Sequence, residues 1–331
     1  MGLYIFSEKD IRDIVKVDKK ALSLIEEGFK RFEEGEVTLP PILRVDIPEN
    51  NGEVDVKTAY IKGMDKFALK ISSGFFDNYK IGLPSLSGMM LLFSTETGVP
   101  EAVLQDNGYL TDVRTAVAGA MAAKYMAKDE IDTVGVIGTG TQARYQIKAL
   151  SLVRNFKRIV VYGRTPEHVE KYKRDMEEEF KIPVVAVENP EEAVSKSDIL
   201  ITTTPAKEPI IQAEWIKPGL HITAMGSDAE EKNELHPEVL KKADLLSCDV
   251  VNQVFTFGEH HHAKEAGLVS EEDSIIELGA LAAGNKKGRT SDEQITVTDL
   301  TGTGVQDTAI AVYGYDRLRE QEKGVWFGEN E

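Results

Sequence analysis

Apolar residues follow two different rhythms along this chain. From residue 133 onward, short runs that are apolar nearly throughout recur at 133–137, 158–162, 184–187, 198–203, 221–225, 245–248 and 295–299, with helical stretches between them. Strands of that kind are buried on both faces, and their alternation with helices predicts an α/β domain with a doubly wound parallel sheet. Before residue 110 the pattern is different. Strand-like stretches at 43–47, 54–60, 67–71 and 88–93 are separated by turn clusters such as Asn50-Asn51-Gly52 and Thr97-Gly98-Val99-Pro100, without a strand-helix-strand rhythm. This half reads as a mainly antiparallel sheet with helices, an α+β arrangement. Ser7-Glu8-Lys9-Asp10 opens a short helix, and an amphipathic helix follows over 19–35, stopped by Pro40-Pro41. An alanine-rich helix over 111–127 joins the halves, and a final helix over 308–321 returns to the first domain. The expected organisation is one domain from 1–120 with 308–331 and a second from 121–307.

Composition narrows the function. A length of 331 residues exceeds what one hydrophobic core usually fills, in keeping with two domains. A formal charge of −17 repels phosphate backbones and anionic lipid heads, so neither nucleic acid nor a membrane surface is an expected partner. No apolar run approaches the roughly 20 residues that cross a bilayer, and Met1-Gly2-Leu3-Tyr4 leads into charge instead of a signal-peptide core, so a cytoplasmic location is expected. Cys248 is the sole cysteine, which excludes an internal disulfide, and its setting, Leu245-Leu246-Ser247-Cys248, reads as a buried strand and not as a nucleophile.

The most specific motif is Gly138-Thr139-Gly140-Thr141-Gln142-Ala143, which fits G-x-G-x-x-A between an apolar strand and a helix. The first glycine permits the tight turn, the second lets a pyrophosphate approach the backbone, and Ala143 lets the helix pack on the sheet. Free N–H groups at the helix start then face the phosphates. The carboxyl ends of later strands are where ligands bind in open α/β sheets, and they add Thr203, Thr204, Met225 and Gly226 as expected cofactor contacts. Where NAD-preferring sites carry Asp or Glu at the end of the second strand, this chain has Gly163-Arg164-Thr165. With a guanidinium and a hydroxyl there and no carboxylate to repel a 2′-phosphate, NADP(H) is the preferred cofactor, with NAD(H) as the second option.

Several further stretches carry a resemblance that spans nearly the whole chain: Pro40-Pro41-Ile42-Leu43-Arg44, Lys70-Ile71-Ser72-Ser73-Gly74-Phe75, Thr111-Asp112-Val113-Arg114-Thr115-Ala116, Gly226-Ser227-Asp228, and Asp299-Leu300-Thr301-Gly302-Thr303-Gly304-Val305-Gln306-Asp307. In order and together they resemble the ornithine cyclodeaminase and mu-crystallin family, within it the branch of ectoine-utilisation cyclodeaminases and iminosuccinate reductases. The resemblance implies an N-terminal substrate and dimerisation domain completed by the last helix, a Rossmann domain between, a homodimer, and hydride transfer between small imino or keto acids and amino acids. Iminosuccinate to aspartate is the most specific candidate. The alternatives are cyclisation of a diamino acid with release of ammonia, and mu-crystallin-like NADPH-dependent binding.

On the matching residues, Arg44, Lys70 and Arg114 gather positive charge suited to a substrate carboxylate, Arg bidentately and Lys as a point charge that could also move a proton. Lys70 lies among Ala68, Leu69 and Ile71, where an unpaired ammonium is costly. Taken singly, Arg44 also reads as an edge-strand charge and Arg114 as an exposed helix residue. Asp228 matches the family's catalytic aspartate, exchanging a proton with the substrate nitrogen; its plainer reading is the cap of a helix over 230–235. The family's cyclodeaminases have proline and glycine after this aspartate, whereas this chain has Ala229-Glu230, which weakens ornithine as substrate. Thr303 matches a residue close to the nicotinamide or substrate. Glu259-His260-His261-His262 carries no expected metal, because successive histidines point in different directions and no spaced partner completes a site.

Overall fold

The computed structural model describes residues 2–328 and divides into two compact units, Met1–Arg114 with Thr303–Glu331, and Thr115–Gly302. The first unit opens with β1 (Gly2–Ser7), a strand that its short apolar run did not announce. Ser7 then accepts the Asp10 N–H and starts α1 (Glu8–Ile14). Asp18 caps α2 (Lys19–Glu33), whose Ala21, Leu22, Ile25, Gly28 and Phe29 form one buried stripe. The helix ends at Glu33, before the prolines expected to stop it. Gly35 takes a φ of +74°, and the N–H groups of Gly35 and Glu36 close on the carbonyls of Phe32 and Arg31. This glycine-terminated ending satisfies the last carbonyls.

After β2 (Val37–Thr38) come β3 (Leu43–Ile47), β4 (Gly52–Ile61), β5 (Lys66–Phe75), β6 (Leu86–Ser94) and β7 (Pro100–Gln105). The run β4 to β7 is an antiparallel meander, β2 and β3 share the outer edge of β4, and β7 pairs in parallel with β1. The register sets Lys57 opposite Lys70, and Arg44 opposite Asp55 and through it Ser72. Since side chains alternate with a period of two, Arg44, Asp55, Lys57 and Lys70 share one face of this sheet. The alanine-rich α3 (Tyr109–Met126) follows.

The second unit alternates strand and helix: β8 (Thr133–Ile137), α4 (Thr141–Leu150), β9 (Arg158–Tyr162), α5 (Pro166–Phe180), β10 (Val184–Ala186), α6 (Pro190–Lys196), β11 (Ile199–Thr202), β12 (His221–Ala224), α7 (Pro237–Lys242), β13 (Leu245–Cys248), α8 (Val251–Val254), α9 (Glu259–Glu265), β14 (Ile275–Glu277), α10 (Leu278–Ala282) and β15 (Thr296–Asp299). All neighbours in the order β10-β9-β8-β11-β12-β15-β13-β14 run parallel. This is the doubly wound sheet the apolar runs predict, with β14 added at an edge. The order reverses between β8 and β11, the point where such sheets open a crevice at their carboxyl ends.

The chain then re-enters the first unit as α11 (Gly304–Glu320) and ends its described part in β16 (Val325–Gly328), antiparallel to β1. Helix α11 lies hard against β4. A Cβ on Gly304 would come within 2.0 Å of the Thr58 carbonyl oxygen, and the Thr308 hydroxyl donates to Ala59 O at 2.9 Å and accepts Ala68 N–H. The boundary therefore falls at Gly302/Thr303 instead of at 307, since Asp307 packs with the first unit.

Candidate active site

In the second unit, the glycine turn has the geometry its sequence requires. Gly138 has a φ of +109° and donates its N–H to Tyr162 O, and a side chain there would meet the Thr203 hydroxyl at 2.7 Å. Gly140 caps α4, and a Cβ on it would meet nothing within 4 Å, which leaves the backbone open where a phosphate would approach. Ala143 is fully buried beneath Tyr172. Arg144, which sequence reasoning passed over, fastens the turn from behind, donating to the carbonyls of Thr139 and Gly140 and pairing with Asp175 at 2.8 Å. At the end of β9, Gly163 lies against Thr139 and Val169, and Thr165 caps α5 through its backbone only. Arg164 is exposed and, among the described residues, has no hydrogen-bond or ionic partner.

The ends of β11 and β12 are bound together by one buried carboxylate that the sequence did not flag. Glu234 accepts from Thr202 Oγ1 (2.7 Å), Thr204 N (2.6 Å), Thr204 Oγ1 (2.8 Å) and Gly226 N (2.8 Å). Glu259 in turn accepts the N–H groups of Glu234 and Leu235, at 2.9 and 3.0 Å. Burial raises both carboxyls, Glu234 to about 7 against the pull of its donors and Glu259 well above the usual range. Gly226 has no room for a side chain, which would meet Thr204 O at 2.1 Å. Met225 is buried beside it.

Asp228 follows in a turn, not at the start of a helix, so the capping alternative has no helix to cap. Its Oδ1 pairs with Lys232 Nζ at 2.6 Å; the Lys232 side chain is buried, while that of Asp228 is 44% exposed. Cys248 is buried on its strand, where loss of solvation pushes its thiol up, as expected of a core residue. The three histidines do not all diverge as expected. His260 is buried with Nδ1 on Asp299 Oδ2 at 2.8 Å, but His261, His262 and Glu265 bring ligand-type atoms within 4.8 Å of one another. His261 Nδ1 and His262 Nε2 are engaged by the carbonyls of Phe255 and Lys232.

In the first unit, two of the three predicted basic residues meet on a carboxylate. Lys70 Nζ lies 3.2 Å from Asp307 Oδ2, and Arg114 Nε lies 2.9 Å from Asp307 Oδ1 while its Nη1 donates to Gln306 Oε1 at 2.8 Å. Lys70, Arg114 and Asp307 are 2%, 4% and 0% exposed, so Arg114 is not the surface helix residue it could have been. Lys57, absent from the sequence-derived set, is buried at 5% and acts on both Lys70 and Asp307. Burial, helped by Arg114 and Lys57, brings Lys70 down to about 7 against the attraction of Asp307. Burial opposes the charge of Asp307 too, yet Arg114, Lys70 and Lys57 together hold its carboxyl below the ordinary value. Arg44 stands apart on the same face, pairing with Asp46 at 2.9 Å and Glu53 at 2.6 Å. Thr303 spends its hydroxyl oxygen on the Val305 N–H as the cap of α11.

Residues 4–322 match the model of the ornithine cyclodeaminase/mu-crystallin family. An uncharacterized cyclodeaminase of Sinorhizobium fredii is 48% identical over 98% of both chains, and the alanine dehydrogenase of Archaeoglobus fulgidus is 34% identical over 98% of both. Among solved structures, an archaeal alanine dehydrogenase dimer with bound NAD superposes with a TM-score of 0.92 at 33% identity over all of both chains. The Thermococcus litoralis Δ1-pyrroline-2-carboxylate reductase with NADH and L-proline gives 0.92 at 29%, covering 98% of this chain and 99% of that one. The iminosuccinate reductase of Paracoccus denitrificans with NAD+ gives 0.90 at 29%, covering 99% and 100%.

Proposed function

The chain belongs to the ornithine cyclodeaminase/mu-crystallin family, and we propose from that premise that it is a nicotinamide-dependent imine reductase or amino-acid dehydrogenase acting on a small imino or keto acid. The observation that carries this reading is the buried Lys70–Arg114–Asp307 cluster in a chain whose other unit opens with a dinucleotide turn. Lys70 and Arg114 take the substrate carboxylate by charge-assisted hydrogen bonds, with Arg44 added from the same sheet face. The residues of the turn, Gly138 to Ala143, fit a pyrophosphate, and Thr203, Thr204, Met225 and Gly226 line the strand ends beside it. The nicotinamide cofactor, when bound, supplies the hydride that the imine carbon gains. Asp228 supplies the proton that the nitrogen gains, so an imine, a reduced cofactor and a proton give an amine and an oxidised cofactor. Lys232 holds Asp228 in place from its buried position.

Arg164, exposed and without a neighbouring acid at the end of β9, favours NADP(H), although the solved relatives hold NAD or NADH. Oxidation of NADPH and NADH measured side by side with Δ1-pyrroline-2-carboxylate and with pyruvate or oxaloacetate plus ammonia tests both points. Expected is steady cofactor oxidation, with NADPH preferred and that preference lost in Arg164→Ala. A tenfold advantage for NADH sinks the assignment of Arg164. The name of the 48% identical relative favours cyclodeamination as a second reading. Ammonia released from a diamino acid with no net change in cofactor identifies it.

The titration of Lys70 gives a pH signature. With its ammonium brought down to about 7, Lys70 is cationic below neutrality and neutral above it. Binding of a simple carboxylate inhibitor should weaken as pH rises from 6 to 9, by up to about tenfold per unit once past the lysine's pKa. Lys70→Arg, charged throughout, should flatten this dependence. An equally steep profile in that variant excludes Lys70 as its source.

The archaeal alanine dehydrogenase relative is a dimer, and we propose that this chain pairs likewise through the sheet face opposite the cluster, where Leu43, Val45 and Met89 are 57%, 50% and 40% exposed.

A further inference from the structure

Consecutive residues of a helix project about 100° apart, and the three histidines of α9 divide accordingly. His260 turns inward and is fully buried on Asp299. His261 and His262 are half-buried, and the exposed Glu265 stands one turn on from His261. One ligand-type atom from each of these three lies within 4.8 Å of the other two. The backbone fixes the tautomers. A ring nitrogen that faces a carbonyl oxygen must carry a proton, so His261 donates from Nδ1 to Phe255 O at 3.3 Å and His262 from Nε2 to Lys232 O at 2.8 Å. In the neutral rings the opposite nitrogens, Nε2 of His261 and Nδ1 of His262, keep their lone pairs. Nε2 of His261 then faces Glu265 Oε2 at 3.6 Å, two electron-rich atoms that favour a cation between them. Lys264 does not supply it, because its Nζ reaches Glu271 Oε1 at 2.5 Å.

We propose that His261, His262 and Glu265 form a site for a divalent transition-metal ion, with Zn2+ the ion its chemistry suits best. Two imidazoles and a carboxylate are donors that zinc takes, whereas Mg2+ and Ca2+ seek shells of oxygen. Ligands about 2.0–2.1 Å from a tetrahedral ion stand about 3.3 Å from each other, close to the spacing of His261 Nε2 and Glu265 Oε2. Ligating histidines give their second N–H to a carbonyl or carboxylate, which orients the ring and raises its basicity. Both histidines here have that bond. The ion also has a reach beyond α9. Lys232 O, which takes the His262 N–H, accepts the Ser227 hydroxyl as well, and the Lys232 ammonium pairs with Asp228. Zinc on α9 therefore stiffens the turn that carries Asp228.

Equilibrium dialysis of the untagged, chelator-treated full chain against Zn2+ and against Mg2+ is the test. The wild type should hold one Zn2+ per chain with micromolar or tighter affinity and no Mg2+. His261→Gln and His262→Gln should each weaken zinc binding at least tenfold, and Glu265→Gln severalfold. His168→Gln, which removes an exposed histidine of α5, should leave it unchanged. Zinc should also raise the Tm of the wild type by a few degrees, and not that of a variant lacking both ligand histidines. Zinc-edge X-ray absorption on the wild type, which needs no variant, should show two imidazoles among donors at about 2.0–2.2 Å. A wild type that retains no zinc, a zinc shell without imidazole, or equal affinity in the wild type and both histidine variants overturns the site. The reductase reading does not depend on it.

Discussion

Asp307→Asn should lower the stability of the protein by about 3–5 kcal/mol near neutral pH, the usual cost of removing one partner from a buried ion pair. For a chain of this size that is roughly 4–7 °C in Tm. Asp307 is fully buried and faces Lys70, Arg114 and Lys57, so the amide leaves three buried cations facing no counter-charge from this position. Its pH dependence identifies the cause. Lys70 already has a folded-state pKa far below that of a free lysine, and losing Asp307 lowers it further. Between that lowered value and about 10.4 the unfolded chain binds more protons than the folded one, so stability rises with pH across the window. The wild type gains stability in the same way above about pH 7, so the deficit of Asp307→Asn relative to wild type should be largest on the acid side, near pH 5, shrink as pH rises to about 7 and stay level beyond it. Adding Lys70→Met to Asp307→Asn should recover part of the loss, since the contacting residues are coupled. Thermal melts at three pH values between 5 and 7 decide the matter: a deficit that is constant across that range means that Asp307 serves by packing and not by charge.

Asp228→Asn should leave the fold and cofactor affinity intact and reduce kcat by about two to four orders of magnitude, the usual contribution of a positioned general acid. The side chain is 44% exposed and its partner, Lys232, can rebond to the amide oxygen, so little stability depends on the charge. The contrast with Asp307 is useful. Two aspartates replaced by the same isostere should fail in different ways, one by melting early and the other by remaining folded and slow. Turnover within threefold of wild type with Δ1-pyrroline-2-carboxylate would remove Asp228 from the chemistry.

What the sequence disclosed and what it hid have physical causes. The parallel sheet was readable because strands buried on both faces are written as apolar runs, as in Thr133–Ile137 and Ile199–Thr202. Gly138 was readable because few other residues can adopt its backbone angles. Lys70 stood out as a charge among apolar neighbours, whereas Lys57, alternating with Val56 and Thr58, looked like the solvent side of an ordinary strand. Its burial depends on α11, which arrives from more than 240 positions away. Asp307 and Gln306 were hidden for the same reason, because no local pattern tells a helix residue that its neighbours are Lys70 and Arg114. Glu234 sits in the polar stretch Glu230-Glu231-Lys232-Asn233, where a further acid draws no attention. Only the folded chain gathers the N–H and O–H donors of Thr202, Thr204 and Gly226 around it.

The return of α11 to the first unit also orders events during synthesis. Residues 115–302 form a contiguous unit and can fold as soon as they leave the ribosome, as domains generally do. The unit that is made first must wait, because Asp307 and the helix that covers β4 and β5 are translated after the whole of the second unit. Throughout that interval Lys57, Lys70 and Arg114 have no Asp307 to gather around, and the buried charge cluster is closed last although three of its four charges are translated first.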